Sequence, residues 1–275
     1  MRFRRLASLA TVALLLVSCS STASDSDALV VRAKNRGHLT IGIRFDQPGL
    51  SQRTIDGRFV GFDVDVAKYV ANELGVDAAE ITWHESTSAS RETDITSGAV
   101  DIVVAAYSIT DKRKQLVSFA GPYFVTGQDL LVRLTSTDIT GPDSLNGKKL
   151  CSVTGSTSAQ QVKDHFAQAV QLVEYPRYPD CVTALLAGQV DAVTTDAAIL
   201  AGYVTQDPEL LRIVGKPFST ERYGIGLRKG DTQGQAALGT AIKKMISSGA
   251  WKDSLTRNIG PSGYKLPPPP EVTEQ

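Results

Sequence analysis

Two parts of this chain repeat the same order of strand-like and helix-like segments. The strands of the first part are HLTIGIR (38–44), EITWHE (80–85) and AVDIVVAAYS (99–108), and its helices are GFDVDVAKYVANELG (61–75) and a short piece near 90–97. The strands of the second part are KKLCSV (148–153), QLVEY (171–175) and VDAVTT (190–195), and its helices are SAQQVKDHFAQA (158–169) and DCVTALLAG (180–188). Strands that alternate with helices predict a mostly parallel sheet covered on both faces. Each part is therefore expected to form an α/β unit.

Two extended runs connect these parts. GQDLLVRL (127–134) follows the first part, and ERYGIGLRKGD (221–231) follows the second, before a closing helix and GAWKDSLTRNIG (249–260). Two such crossings favour two lobes over the alternative, a single large sheet. We expect lobe 1 to comprise 32–130 and 224–265, and lobe 2 to comprise 131–223.

The first residues have the pattern of an export signal. MRFRR is basic, and the apolar stretch that follows it is too short to span a bilayer. The stretch ends in LVSC, which is similar to the lipobox of bacterial lipoproteins and implies acylation of Cys19. We expect a signal peptide over 1–18 and a lipidated, polar tether over 19–31. A plain secretory signal with an incidental cysteine is the alternative.

At the other end, the proline-rich stretch 266–275 has no pattern typical of a core and is expected to be a tail. Between the tether and this tail, about 240 residues are enough for one large domain or two smaller ones.

Charge and composition exclude several classes of function. The chain has 29 basic and 29 acidic residues, and removal of 1–18 takes three arginines, which leaves 26 against 29. A slightly acidic chain lacks the basic surface that nucleic-acid binding needs. No metal site or cofactor is expected, because the three histidines show no ligand spacing around the cysteines. In an exported protein, Cys151 and Cys181 most simply form a disulfide.

Polar side chains follow the predicted strands at their carboxyl ends, where open parallel sheets bind ligands. Within AVDIVVAAYS the strand proper, 101–106, ends at Ala106, and Ser108, Thr110 and Arg113 follow it. An arginine fork with a hydroxyl suits a carboxylate. The alternative is that Thr110 is an ordinary N-cap and Arg113 a solvated surface charge.

The loop after EITWHE places a second arginine in the same way. Ser88 and Arg91 open the next helix, and an arginine in a first turn is electrostatically unfavourable unless an anion is near. Two such arginines after neighbouring strands suggest one shared anionic ligand. Pairing of Arg91 with Glu92 or Asp94 is the alternative.

Three further strand ends complete the pattern. Arg44 ends the first strand, and the loop around Thr157 resembles an anion cradle, although no lysine follows its glycine as in a P-loop. Asp196 ends VDAVTT as the one acid of the set, either as an N-cap or as the partner of a ligand ammonium. Several groups for anions and one for a cation fit an acidic amino acid.

These segments resemble the extracytoplasmic amino-acid-binding proteins of ABC importers, in particular the glutamate/aspartate-binding branch. The resemblance covers about 32–260 and rests on GFDVDVAKYVANELG, SGAVDIVVAAYSITDKRKQLVSFAGPYF, CSVTGSTSAQ, GQVDAVTTDAAIL and GAWKDSL. It implies the type II fold of periplasmic binding proteins, an α/β clamp of two lobes with two hinge crossings.

The resemblance also implies roles for single residues. The ligand α-carboxylate is expected at Arg113, Ser108 and Thr157, and the α-ammonium at Asp196 and the backbone of Ala106. The ligand side chain is expected near Arg44, Arg91, Ser88 and Tyr178, the last at a position where one relative uses a histidine. Mechanistically, ligand contacts with both lobes would favour closure of the clamp.

The implied function is delivery of glutamate, or aspartate, to an ABC permease by a monomer that is lipid-anchored outside the cytoplasmic membrane. Two alternatives remain. A sensor lipoprotein for a membrane kinase would have an identical cleft, and a dehydratase-like enzyme would need a general acid or base near Arg113, for which Asp196 and Glu221 are the candidates.

Overall fold

Residues 28–275, which the computed structural model describes, form two five-stranded sheets and one small three-stranded sheet. The strands are β1 (Leu39–Ile43), β2 (Asp46–Gln47), β3 (Ser51–Arg53), β4 (Phe59–Val60), β5 (Ile81–Glu85), β6 (Ile102–Val103), β7 (Val117–Thr126), β8 (Gln128–Arg133), β9 (Lys149–Val153), β10 (Gln171–Tyr175), β11 (Ala192–Asp196), β12 (Leu211–Ile213) and β13 (Glu221–Arg228). The helices are α1 (Leu29–Arg36), α2 (Phe62–Glu73), α3 (Arg91–Ser97), α4 (Asp111–Lys114), α5 (Ser158–His165), α6 (Tyr178–Leu186), α7 (Ala197–Val204), α8 (Thr232–Ser247) and α9 (Ala250–Asn258).

The two large sheets have the same construction. The first has the strand order β5-β1-β6-β13-β7, and the second has the order β10-β9-β11-β8-β12. In each sheet three neighbouring strands are parallel, and the two added strands are joined to the sheet by antiparallel pairings. The carboxyl ends of the parallel strands, β1, β5 and β6 in the first sheet and β9, β10 and β11 in the second, therefore define one edge in each sheet, as the sequence predicts.

The chain passes between the sheets twice. Gly127 separates β7 of the first sheet from β8 of the second, and 214–220 lead back from β12 to β13. The two-lobed prediction is confirmed, and the single large sheet is wrong. Lobe 1 is the part built on the first sheet and lobe 2 the part built on the second, while the predicted lobe boundaries stay a prediction.

Helices α8 and α9 return to lobe 1. Leu238, Ile242 and Met245 of α8 are buried in the main core, and α8 packs against β7 and α2. Trp251 of α9 donates its indole N–H to the Tyr123 carbonyl at 2.7 Å. Helices α8 and α9 therefore pack on lobe 1, although they follow lobe 2 in the sequence.

The predicted cysteine pair forms a disulfide in lobe 2. Cys151 of β9 and Cys181 of α6 are fully buried and bonded. The bond ties β9, an inner strand of the second sheet, to α6, which packs on it. Cys19, the predicted lipidation site, lies outside the described residues, as does the signal peptide.

The structure differs from the sequence prediction at both ends of the fold. Helix α1 begins at Leu29, inside the predicted tether, and this side chain is buried while its N–H donates to Asp231 at 2.7 Å. The predicted tail is packed on lobe 1: Val272 is buried, and Gly121 of β7 donates to the Glu274 carbonyl at 2.8 Å. Lys114 also pairs with the Glu274 carboxylate. An unpaired stretch of the edge strand β7 explains this docking, which a proline-rich composition conceals.

Candidate functional site

The candidate site is a cavity between the lobes, at the carboxyl ends of the parallel strands. It encloses about 300 Å³ of empty space, including the solvent at its mouth. Eight of the nine residues predicted to touch a ligand line it: Ser88, Arg91, Ala106, Ser108, Arg113, Thr157, Tyr178 and Asp196. Six further residues complete the wall: Gln47, Ala105, Ser156, Ser158, Thr195 and Ile199.

Arg91 is a buried cation with little compensation. It begins α3, is 4% exposed, and donates one hydrogen bond, from Nη1 to the Ala105 carbonyl at 3.2 Å, while its Nε has no partner. Within residues 28–275 no carboxylate lies at ion-pair distance from it: Glu92 pairs with Arg113, and Asp94 accepts hydrogen bonds from serines. Burial, and then the charge of Arg113, lowers the pKa of Arg91 to about 9. The predicted alternative, an ordinary surface pair, is wrong.

Arg113 is buried as well, and it contacts both lobes. Thr110 caps α4 by accepting the backbone N–H of Arg113, as one alternative holds. Arg113 is only 6% exposed, however, and is not a solvated surface charge. Its Nε lies 3.2 Å from Glu92, its Nη1 donates to the Ser108 carbonyl at 2.8 Å, and its Nη2 donates to the Gly155 carbonyl of lobe 2 at 3.3 Å. The fork is thus fixed in place at the cavity wall.

Asp196 supplies a carboxylate on the opposite wall. It stands at the N-cap of α7, yet its side chain makes no cap hydrogen bond and instead accepts from the Tyr223 hydroxyl at 2.5 Å. Burial and the nearby charge of Glu221 raise the pKa of Asp196 to about 7, although Tyr223 and the two arginines favour the ionised form. Helix capping therefore does not account for this residue.

Ala106 presents its backbone to the cavity in an unusual conformation. Its φ of 45° lies in the left-handed region, which side chains other than glycine rarely adopt. Asp63 holds the turn: it accepts the Ala106 N–H at 2.8 Å and the Tyr123 hydroxyl at 2.9 Å, and burial raises its pKa to about 6. The turn also explains why the predicted strand 99–108 is a short ladder, Ile102–Val103. Asp63 itself lies in the first turn of α2, whose N-cap is Gly61.

Arg44 is the predicted ligand residue that does not line the cavity. Arg44 is 1% exposed, and its guanidinium makes two hydrogen bonds with Asp46, at 2.9 and 2.8 Å, which leave Nη1 buried without a partner. Arg44 nevertheless lies close enough to contribute to the lowered pKa of Arg91. It stands behind the wall as a paired cation.

Hydroxyl groups of lobe 2 face the arginines across the cavity. Thr157 is the N-cap residue of α5, and Ser156 Oγ accepts the Ser158 N–H at 3.2 Å. Tyr178, the first residue of α6, is buried and donates weakly to Ser156 Oγ at 3.4 Å. The predicted anion cradle is thus a hydroxyl-rich wall at the start of two helices.

The lobes contact each other on both sides of the cavity. Besides the contact of Arg113 with Gly155, Arg177 of lobe 2 pairs with Glu85 of lobe 1 at 2.8 Å, and Tyr203 donates to the Asp46 carbonyl at 2.5 Å. The clamp is therefore in a closed arrangement. Exclusion of water strengthens electrostatic interactions inside it.

Sequence reasoning missed Gln47, Asp63 and Tyr223. Gln47 ends the short strand β2, three residues after Arg44, and its side-chain oxygen is buried without a partner. The position of Gln47, soon after the end of β1, could have indicated a residue of the cavity. Tyr223 lies far along the chain, and no local sequence pattern relates it to the cavity.

Within residues 28–275, no group of three or more His, Cys, Asp or Glu side chains could hold a metal ion. The same residues include no helix that is long and apolar enough to cross a membrane.

The chain matches the profile of a family described as bacterial extracellular solute-binding proteins, family 3, over residues 39–261. It is 44% identical to a glutamate-binding protein, GluB, of Corynebacterium efficiens over 94% of this chain and 92% of the relative. It is 33% identical to the ABC transporter glutamine-binding protein GlnH of Bacillus subtilis, over 91% of this chain and 95% of that one.

Solved structures agree with the two-lobed architecture. An ancestral arginine-binding protein bound to glutamine superposes with a TM-score of 0.77 at 34% identity, over 82% of this chain and 99% of that chain. A mutant of ArgBP from T. maritima superposes with a TM-score of 0.78 at 28% identity, over 84% of this chain and 99% of that chain. The type II clamp predicted from the sequence is therefore confirmed.

Proposed function

This chain belongs to the bacterial extracellular solute-binding proteins of family 3, and on that premise we propose that it captures an acidic L-amino acid, glutamate or aspartate. Membership of this family makes it an extracytoplasmic solute-binding protein of amino-acid ABC transport rather than an enzyme. We propose that the ligand is bound between the lobes and handed to the subunits of a membrane permease.

The observation that carries the choice of ligand is the unpaired charge of Arg91. A buried cation without a carboxylate partner is costly, and an anionic ligand beside it removes that cost. Arg113 is already paired with Glu92, whereas Arg91 faces the cavity with one hydrogen bond to a carbonyl. A ligand with a second carboxylate is favoured over its amide for this reason.

The proposed pose uses the cavity wall as follows. Arg113, Ser108 and Thr157 receive the α-carboxylate, and Asp196 with the Ala106 carbonyl receives the α-ammonium. The side-chain carboxylate points to Arg91, with Ser88 and Tyr178 beside it and the paired Arg44 behind. In this pose the α-ammonium of the ligand faces the one acid of the cavity wall, and its two carboxylates face the two arginines that line the cavity.

The comparisons support this choice without deciding it. The relative from C. efficiens is named for glutamate, and the relative from B. subtilis is named for glutamine. The same fold therefore accommodates charged and neutral ligands, so the electrostatics of this cavity must discriminate between them.

We also propose that acylated Cys19 anchors the protein to the outer face of the cytoplasmic membrane. The support is sequence alone: a basic start, a short apolar stretch and LVSC in that order, all outside the described residues. The polar residues that follow would act as a tether, and we expect a monomer.

Calorimetric titration of the signal-free, oxidised protein tests the ligand proposal. L-glutamate, L-aspartate, L-glutamine, L-asparagine and L-arginine are compared under one condition. Tight binding of glutamate or aspartate with much weaker amides supports the proposal. Equal binding of the amides contradicts the role of Arg91, and no binding by folded protein contradicts the function.

A further inference from the structure

Two glycines of lobe 2 stand directly against the backbone of lobe 1. A Cβ added at Gly155 would lie 2.5 Å from the Ser88 carbonyl oxygen, and one added at Gly202 would lie 2.2 Å from the Pro48 carbonyl oxygen. Neither distance leaves room for a methyl group. The absence of a side chain at these positions is therefore a requirement of the closed arrangement.

Gly202 is the more informative of the two. Gly155 has a φ of +80°, so its backbone favours glycine whatever surrounds it. Gly202 instead lies inside helix α7, where glycine is less favourable than alanine. Local conformation gives no reason for a glycine there, whereas the contact with Pro48 does.

The Pro48 carbonyl is not free to retreat. It belongs to a turn in which Leu50 donates to the Gln47 carbonyl at 3.1 Å. The start of α2 holds the same turn, since the backbone N–H of Phe62 donates to Gly49 at 3.0 Å and that of Asp63 to Leu50 at 2.8 Å. Because lobe 1 fixes this turn, a methyl group at 202 is accommodated by movement of one lobe relative to the other.

The contact adjoins the binding cavity. On the α7 side, Ile199 lines the cavity and Tyr203 donates to the Asp46 carbonyl; on the other side, Gln47 lines the cavity. A small separation of α7 from the turn would thus open the cavity beside its wall.

We propose that Gly202 is a positioning residue that sets how far the cleft closes on its ligand. This inference rests on the proposed function, in which ligand affinity includes the free energy of closure. An alanine at 202 is compatible with the open form and excluded from the fully closed form. The free-energy cost of the added methyl group therefore weakens ligand binding and does not lower the stability of the ligand-free fold.

The test compares wild type, Gly202→Ala and a matched control, Gly141→Ala. Gly141 also lies in lobe 2, but a Cβ there would stand in open space. The radius of gyration is measured by small-angle X-ray scattering with and without saturating L-glutamate, and the Kd by calorimetry. Circular dichroism gives the Tm without ligand.

We expect wild type and Gly141→Ala to contract on binding with the same Kd. Gly202→Ala should keep or raise the ligand-free Tm, contract less, and bind about tenfold more weakly or worse, as overpacking of a fixed contact implies.

Two results would overturn the inference alone: full contraction of Gly202→Ala with an unchanged Kd, or loss of its fold without ligand. Absence of binding and contraction in wild type would overturn the proposed function, and the inference with it.

Discussion

The guanidinium carbon of Arg91 lies 4.1 Å from the centre of the Tyr107 ring. The same ring has the Arg113 guanidinium at 5.3 Å, so one aromatic side chain serves two buried cations. A cation–π contact stabilises a desolvated cation by about 2 kcal/mol, which is small against the cost of an unpaired buried charge. The part of that cost which the ring does not offset is reflected in the lowered pKa of Arg91. The cavity is therefore prepared for an anion.

Replacement of Arg113 by alanine should abolish binding of every amino acid, because the proposed α-carboxylate contact is common to all of them. We expect affinity to fall by about a hundredfold or more, as for a lost buried charged contact. Calorimetry with glutamate and glutamine measures this loss. Lys112→Ala, an exposed cation one residue away, is the matched control and should bind as wild type. Retained binding in Arg113→Ala would exclude its assigned role.

Affinity should depend on pH through Asp196. In the closed arrangement its pKa of about 7 means that Asp196 is partly protonated near neutral pH, whereas an α-ammonium requires the ionised form. Affinity should therefore weaken as the pH falls through 7, by at most about tenfold per pH unit for one proton. Titrations between pH 8 and pH 5.5 measure the slope.

Asp196→Asn provides the control for this slope. It should bind weakly and lose the pH dependence near 7, while any remaining dependence near 6 belongs to Asp63. A wild-type Kd that is constant over the range would contradict the assignment of the ammonium to Asp196.

Asp63 and Asp196 should also shape the stability of the ligand-free protein. Because burial raises both pKa values above the ordinary 3.8, the folded state holds these protons more tightly than the unfolded state. Their contribution to stability is thus present below about pH 4 and is lost as the pH rises through 6 to 7. Comparison of the Tm of wild type and Asp196→Asn at pH 4.5 and 7.5 isolates the contribution of Asp196. A difference between the two proteins that does not change with pH would contradict it.

Loss of the disulfide should destabilise lobe 2. The bond joins residues 30 apart in sequence, for which chain entropy predicts about 3–4 kcal/mol. Cys151→Ser with Cys181→Ser should therefore unfold at a clearly lower temperature than the oxidised wild type. The reduced wild type is the control and should unfold near the double variant. Equal Tm values for the oxidised wild type and the double variant would show that the bond does not stabilise the fold.

Cys19→Ser should release the protein from the membrane. The full-length protein, expressed in a bacterium that processes lipoproteins, should partition into detergent, while the variant should remain in the aqueous phase. Mass spectrometry of the mature N-terminus identifies the acyl group directly. An unmodified Cys19 in mature wild type would favour the plain secretory signal.

Much of the fold could be predicted because its sequence patterns are local. Strands followed by small or polar loops and amphipathic helices appear in order, and two extended runs indicate the crossings. The predictions that were wrong depend on contacts between residues that are distant in the sequence. The docking of Glu274 beside Gly121 depends on the free edge of β7, which no feature of a proline-rich stretch records.

The candidate site shows the same division. Arginines at strand ends could be found from position, but their pairing could not. Glu92 follows Arg91 directly in sequence, yet the start of α3 turns this acid toward Arg113 and leaves Arg91 without it. Asp63 and Tyr223 act on the cavity through hydrogen bonds to Ala106 and Asp196, across 43 and 27 residues of chain.

The most direct test of the account is the ratio of glutamine to glutamate Kd in wild type and in Arg91→Met, which keeps the side-chain volume and removes the charge. Arg58→Met, at an exposed arginine, is the control. We predict that Arg91→Met loses glutamate affinity by about tenfold or more while glutamine affinity changes little, and that its ligand-free Tm is unchanged or higher. Equal losses for glutamate and glutamine would contradict the claim that the unpaired charge of Arg91 selects an acidic ligand.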